Sequence, residues 1–420
     1  MELKVVELFA GVGGFRVGLN KITDINTDTE KAVEKGNWDF VWANQYEPST
    51  KVQHAFNCYI TRFGEDSCSN LDINKVDKST IPNHSLLVGG FPCQDYSVAR
   101  SLSNEQGIEG KKGVLFWDIK DVLKEKKSPF VLLENVDRLL KSPASMRGRD
   151  FSVMLKTFDT LGYHVSWRVI NAADYGMPQR RKRIFIFAFK KESKYANWFK
   201  DQAIDELLYS NLLNKTFPIK EKKYVLNEID LNKYDNILDI SDNFREGKFL
   251  TSGYMIDGIV YHTDIEPLTE KVYSLKMILK KAEKFNPKDK KEYIVEDEKL
   301  DKWKYLKGSK RIERIAQNGH KYIYSEGQMS FPEKMEEPAR TMLTTEGSVN
   351  RSSHIIFDEN IKKYRILTPV ECELIQMFPP NWTDTEIMTE RRRYFIMGNA
   401  LVTGIIERLE PGLRDIIKAE

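Results

Sequence analysis

Residues 87–97 read Leu87-Val88-Gly89-Gly90-Phe91-Pro92-Cys93-Gln94-Asp95-Tyr96-Ser97. A short apolar run ends in two glycines, and Pro92 then presents Cys93 just past the strand's end. Glycine and proline together make a tight exit from a strand, and in open α/β sheets ligands sit outside such carboxyl ends. A cysteine held there does chemistry as a thiolate, which needs neighbouring positive charge or hydrogen-bond donors. The alternative is a small apolar filler, a common fate of unpaired cysteine. The flanking chain decides between the two.

On the N-terminal side, residues 3–9 suit a central strand. Ala10-Gly11-Val12-Gly13-Gly14 follows it, a turn in which glycines let the backbone approach a ligand closely. Residues 39–44 read as a second strand with Gln45-Tyr46-Glu47 at its carboxyl end, then a helix over about 49–62 and the turn Leu71-Asp72-Ile73. On the C-terminal side, residues 94–113 form a long connection carrying Arg100, Lys111 and Lys112, of the length that lids have. An amphipathic helix over 114–126 and an apolar strand over 130–133 come next, ending in Glu134-Asn135-Val136. After a further helix (about 151–161) and strand (164–171), the cations Arg180-Arg181-Lys182-Arg183 open the apolar run 184–189. Arginine forks suit phosphates, carboxylates and base edges. Strands alternating with helices in this rhythm predict a doubly wound, mostly parallel α/β sheet.

The 420 residues predict a large domain with a second, smaller one. With 41% hydrophobic and 30% charged residues, the composition is that of a globular chain rather than a disordered or membrane one. A start without a basic region and long apolar segment predicts a cytoplasmic protein. Four cysteines without paired spacing point neither to a metal site nor to a disulfide framework. Net charge of +3 is close to neutral, so local clusters of charge carry more information than the sum. Residues 191–310 are polar and irregular, and predict an idiosyncratic second domain. Residues 338–354, rich in hydroxyls, glycine and arginine, suit either a loop along phosphates and base edges or a plain surface loop. Thr368-Pro369 with Glu371 is a well-formed helix start. Gly398-Asn399 is expected to open a terminal helix ending near Ile417.

In order and spacing, six segments resemble the signatures of the bacterial cytosine-5 DNA methyltransferases of restriction-modification type. They are Phe9–Gly14, Gly90–Gln94, Glu134–Val136, Gln179–Arg183, Arg365–Phe378 and Gly398–Ala400, and only about residues 190–335 are unmatched. The resemblance implies an S-adenosylmethionine-dependent methyltransferase fold with the DNA between two domains. Residues 1–190 would form the catalytic and cofactor-binding domain, 191–360 the target-recognition domain, and 361–420 a returning segment that completes the first. It also implies a mechanism in which cytosine is flipped out and Cys93 adds to carbon 6. Glu134, Arg183 and Arg181 would then act on the ring or favour the thiolate.

By the same resemblance the cofactor pocket comprises Phe9, Gly11, Val12, Gly13, Tyr46, Asp72, Pro92, Leu115 and Asn399. DNA contacts fall to Ser97 and Arg100 in the long connection and to Arg340, Thr341, Thr344 and Arg351. The chain departs from the pattern at Gln45, where many members carry an acid for the ribose hydroxyls; Glu47 is the alternative contact. The implied partners are double-stranded DNA and, functionally, a restriction endonuclease, with a monomer sufficient. A tRNA cytosine-5 methyltransferase of the same fold is the nearest rival. A nicotinamide-dependent dehydrogenase would leave Cys93, Glu134 and Arg183 unexplained as a set, and a silent DNA-binding protein would have no use for Cys93 and Glu134.

Overall fold

The computed structural model describes residues 1–91, 115–315 and 319–420. Ten strands form one sheet: β1 (Lys4–Leu8), β2 (Asp39–Asn44), β3 (Cys68–Ser69), β4 (Leu86–Gly90), β5 (Phe130–Val136), β6 (Tyr163–Asn171), β7 (Lys182–Lys190), β8 (Asn227–Asp230), β9 (Ser252–Ile256) and β10 (Ile259–Thr263). Their order is β3-β2-β1-β4-β5-β7-β6-β9-β10-β8. The pairs from β3 to β5 are parallel; β7, β8 and β9 run against the other strands. The doubly wound, mostly parallel sheet is therefore as the sequence predicts. Its order reverses at β1, which has β2 on one side and β4 on the other, the switch point where such sheets bind ligands.

Near-continuous apolar strands are required because both faces are covered. Alternate residues divide between two cores: Val131, Leu133, Ile184 and Ile186 face one way, Phe130, Leu132, Phe185 and Phe187 the other. The first face is covered by α3 (Leu115–Lys126) and α4 (Arg149–Thr160). The second is covered by α1 (Gly14–Leu19), α5 (Lys194–Asp201), α6 (Ile204–Ser210), α7 (Leu212–Thr216) and α13 (Thr403–Ala419). Helix α2 (His54–Phe63) lies outside both cores, sending Ala55 and Cys58 into a third cluster. Gly18 allows α13 to lie directly on α1, since a β-carbon there would meet Ile406 Cβ at 2.5 Å.

Two boundaries differ from the sequence reading. Residues 194–263 do not form a separate body: α5 to α7 bury Phe199, Leu207 and Leu213 in the second core, while β9, β10 and β8 extend the sheet beyond β6. Polar surface composition concealed this, because α5, α6 and β8 each bury only about one residue in four. Nor does Gly398-Asn399 open the terminal helix. The pair ends α12 (Glu390–Asn399), and α13 begins afresh at Thr403.

Helix α8 (Ile237–Asn243), between β8 and β9, adds Ile240 to the first core. Between β10 and α12 come α9 (Leu275–Ala282), α10 (Leu300–Lys307), the hairpin β11 (Lys310–Ile315) and β12 (Lys321–Glu326), and the hairpin β13 (Ile355–Asp358) and β14 (Lys363–Ile366). Helix α11 (Pro369–Ile375) starts with the expected capping box: Thr368 Oγ1 accepts from the Glu371 amide, and Glu371 accepts from the Thr368 amide. Glu371 also binds Arg365, whose guanidinium is buried against Asp358 as well. No helix among the described residues is long and apolar enough to cross a membrane.

Candidate active site

Three strand ends meet where the sequence placed its chemistry. Gly90 at the end of β4 pairs with Glu134 on β5, and Val136 pairs with Arg183 at the start of β7. Arg183 Nε lies 3.0 Å from Glu134 Oε1, with the two side chains 17% and 13% exposed. Burial raises the Glu134 carboxyl above its ordinary value, while Arg183 and Arg181 pull it back. Gly90 makes the room: a β-carbon there would lie 3.3 Å from Glu134 Oε2.

Arg181 is placed differently from Arg183. Its guanidinium is buried and donates to the carbonyls of Met342 (3.1 Å) and Gly398 (3.1 Å), tying the 338–354 loop and the end of α12 to the mouth of β7. Burial, then the neighbouring Arg183, lowers its affinity for its proton. Asn135, which sequence reasoning passed over, donates from Nδ2 to the Phe91 carbonyl at 3.0 Å and so fixes the exit of β4. Its place directly after Glu134 was the available signal. Pro92, Cys93, Ser97 and Arg100 lie outside the described residues, and Cys93 is two positions beyond that fixed carbonyl.

Across the switch point, Phe9, Gly11 and Gly13 have φ of 54°, 56° and 83°. This left-handed path turns the chain sharply off β1. A β-carbon on Gly11 would meet nothing within 4 Å, so the turn faces open space, whereas one on Gly13 would meet the Phe63 ring at 2.5 Å. The Val12 carbonyl is anchored by the buried Trp382 indole N–H (2.9 Å). Tyr46 is exposed at the end of β2. Asp72 Oδ1 accepts from the Asn74 amide at 3.2 Å and is half-buried; Leu115 opens α3, and Asn399 is exposed at the end of α12.

Both candidate ribose acceptors already have partners within the protein. Gln45 Oε1 accepts from the Gly11 amide at 2.7 Å, and Glu47 Oε2 accepts from the Ala55 amide in the first turn of α2 at 2.9 Å. Beneath the same turn, Glu7 on β1 accepts from the Tyr59 hydroxyl (3.1 Å) and the Phe15 amide (3.3 Å); burial pushes its carboxyl up to about 8.

The loop residues expected at DNA are engaged in holding the loop itself. Arg340 makes a two-pronged contact with buried Glu333 (2.9 and 2.7 Å) and binds the Ser352 carbonyl. Arg351 donates to the carbonyls of Leu306 (2.8 Å), Gly308 (3.1 Å) and Gly327, and lies 3.0 Å from Glu326. Thr341 Oγ1 donates to the Arg180 carbonyl, and Thr344 is half-buried. Exposure on this loop belongs instead to Leu343, Thr345, Ser348 and Val349.

The family model for C-5 cytosine-specific DNA methylases matches residues 3–412. The chain is 48% identical over 413 residues to the Type II methyltransferase M.Sau3AI of Staphylococcus aureus, covering 97% of this chain and 94% of that one. It is 33% identical over 196 residues to the Type II methyltransferase M.HhaI of Haemophilus parahaemolyticus, covering 47% and 52%. The crystal structure of the S. pombe Dnmt2 methyltransferase matches with a TM-score of 0.58 at 15% identity, covering 99% of each chain, a likeness of fold. The chain belongs to the C-5 cytosine-specific DNA methylases. Its reaction is methyl transfer from S-adenosylmethionine to carbon 5 of cytosine in DNA, and its relatives are methyltransferases of restriction-modification systems.

Proposed function

We propose that the group formed by Cys93, Glu134 and Arg183 performs this transfer on a cytosine swung out of a specific duplex sequence. The observation that carries the reading is the Arg183–Glu134 pair beside Gly90, at the strand exit that leads to Cys93. Carbon 5 of cytosine is a weak nucleophile inside a base stack, so the base must first leave the stack, at a cost of roughly a few kcal/mol. Cys93 thiolate then bonds to carbon 6, which moves ring electron density onto carbon 5. Glu134, raised by burial, holds a proton at the ring nitrogen and offsets the charge that addition creates. Arg183 keeps Glu134 oriented and faces the carbonyl side of the base. After transfer, a base removes the proton from carbon 5, the sulfur–carbon 6 bond breaks, and Cys93 departs as thiolate. Arg181 acts as a positioning residue through the backbone it braces.

The open turn at the switch point fits S-adenosylmethionine. Gly11 faces free space, Phe9 and Leu115 offer apolar surface for adenine, Tyr46 and Asp72 offer polar groups around the adenosine, and Asn399 lies on the side of the amino-acid end. Bound there, the cofactor supplies an electrophilic sulfonium methyl. Val12 and Gly13 shape the turn, and Pro92 would complete the wall. Gln45 holds Gly11 in place, and its amide nitrogen is the group left for a ribose hydroxyl.

We further infer that recognition of the target belongs to about residues 264–360, since 194–263 is built into the sheet. Protection of host DNA from a partner endonuclease, in the cytoplasm and by a single copy of the chain, is the biological role that suits the relatives. The test is transfer of labelled methyl to duplex DNA and, separately, to tRNA, by wild type and Cys93→Ser, with digestion to nucleosides and mass identification. The expected result is 5-methylcytosine in DNA, lost in the variant. Label confined to tRNA, or retained by Cys93→Ser, overturns the reading.

A further inference from the structure

The β11–β12 hairpin buries almost none of its own surface. Ile315 and Ile323 are 67% and 60% exposed, Tyr322 42% and Ile312 37%. A two-stranded hairpin without a covered face is marginal by itself, so this one is maintained at its root. Lys310 Nζ donates to the Leu306 carbonyl (2.9 Å) and lies 3.2 Å from Glu326 across the first rung. Arg351 grips the carbonyls on both sides of the root, Gly308 before β11 and Gly327 after β12. The loop that carries Arg351 begins by pairing with the catalytic segment, the Ala339 amide donating to the Pro178 carbonyl and the Arg180 amide to the Ala339 carbonyl, each at 2.8 Å. One continuous run of hydrogen bonds thus joins the mouth of β7 to the base of an exposed ribbon.

The ribbon's charge distribution indicates its occupant. Glu326 is consumed by Lys310 and Arg351 at the root, and Glu313 by Lys321 at 3.1 Å. Arg311 and Arg314 meet no carboxylate among the described residues. The Arg314 guanidinium lies over the Tyr324 ring, 3.8 Å from its centroid, which presents the fork in a fixed orientation. A two-stranded antiparallel ribbon is one of the two elements that the major groove of B-DNA admits, and an arginine fork matches the O6 and N7 edge of guanine.

Building on the DNA methylase reading above, we propose that β11–β12 enters the major groove of the target duplex. In this arrangement Arg314 reads a base edge, Arg311 contacts phosphate, and Arg351 positions the ribbon relative to the catalytic strands. Arg340 and Arg351 are engaged with Glu333, Glu326 and backbone carbonyls, whereas Arg311 and Arg314 meet no carboxylate among the described residues.

The test uses the full chain as Arg314→Ala, Arg311→Ala and Arg351→Met, with thermal melting to check folding. Affinity is measured on a methylated-site duplex and a scrambled duplex over a salt series, the site having been located by sequencing the 5-methylcytosines that wild type deposits in a random library. Arg314→Ala is expected to lose on the order of ten- to a hundredfold in discrimination between the two duplexes. Arg311→Ala should weaken both equally and lower the salt slope by about one. Arg351→Met should lose discrimination while retaining the salt slope. Wild-type discrimination and salt slope in all three variants would overturn the proposal, as would conversion of a dimer to a monomer by these changes. If wild type deposits no 5-methylcytosine in DNA, the failure belongs to the reading of the reaction instead.

Discussion

Replacing Arg183 by methionine removes the cation from Glu134 while filling much of the same space. The carboxylate, only 13% exposed, then has two courses. It can stay ionised and unpaired, at about 3–5 kcal/mol. It can instead hold a proton at pH 7 against an unfolded-chain pKa of about 4.3, which at about 1.4 kcal/mol per unit costs about 3.7 kcal/mol. Arg181 still favours the ionised form, and wild type already carries part of the penalty because burial raises Glu134 there too. About 2 kcal/mol of destabilisation at pH 7 is the net expectation.

The pH dependence carries the argument. A folded-state pKa above the unfolded one means that stability is present in full below the unfolded value and is lost as pH rises toward the folded one. Removing Arg183 widens that gap, so the difference between variant and wild type shrinks at pH 5, where holding the proton costs only about 1 kcal/mol. The assay is urea unfolding at pH 5 and pH 7, followed by the fluorescence of the buried Trp167 and Trp382. A second chain, Glu134→Gln with Arg183→Met, should show no such dependence. Equal destabilisation of Arg183→Met at the two pH values would refute the account of the pair.

Two further outcomes follow from buried groups away from the reacting atoms. Glu7→Gln should gain stability relative to wild type as pH rises from about 5 to 8 and then level off, because across that window the folded wild-type carboxyl, pushed up to about 8, must hold a proton that the unfolded chain has released; melting temperatures at pH 5.5, 7 and 8.5 check it. Arg365→Met leaves Glu371 buried without its cation and Asp358 with Lys290 alone at 3.5 Å, and should cost about 3–5 kcal/mol, a loss read from chemical denaturation at pH 7.

Local chemistry was legible in the sequence. The glycine turn after residue 9, the Gly-Phe-Pro-Cys exit, Glu134 at a strand end, Arg183 at a strand mouth and the Thr368 capping box each follow from backbone geometry and spacing within a few residues. Their linear order was sufficient to recognise the family and to expect a doubly wound sheet. Where side chains find partners far along the chain, the sequence was silent. Arg340, Arg351 and Arg311 are all arginines in polar segments, yet Glu333 and a set of carbonyls engage the first two, while Arg311 has no carboxylate beside it among the described residues. Gln45 and Glu47 offered equal claims to a ribose, until the Gly11 and Ala55 amides were found to occupy them. The assignment of 194–263 to the sheet likewise depended on an edge at β6 able to receive β9, because a polar-faced strand or helix shows its inward side only when something lies against it. Sequence determined which groups the protein possesses and the local geometry of each; the tertiary structure decided which of them are occupied in holding it together, because those partners lie far apart along the chain.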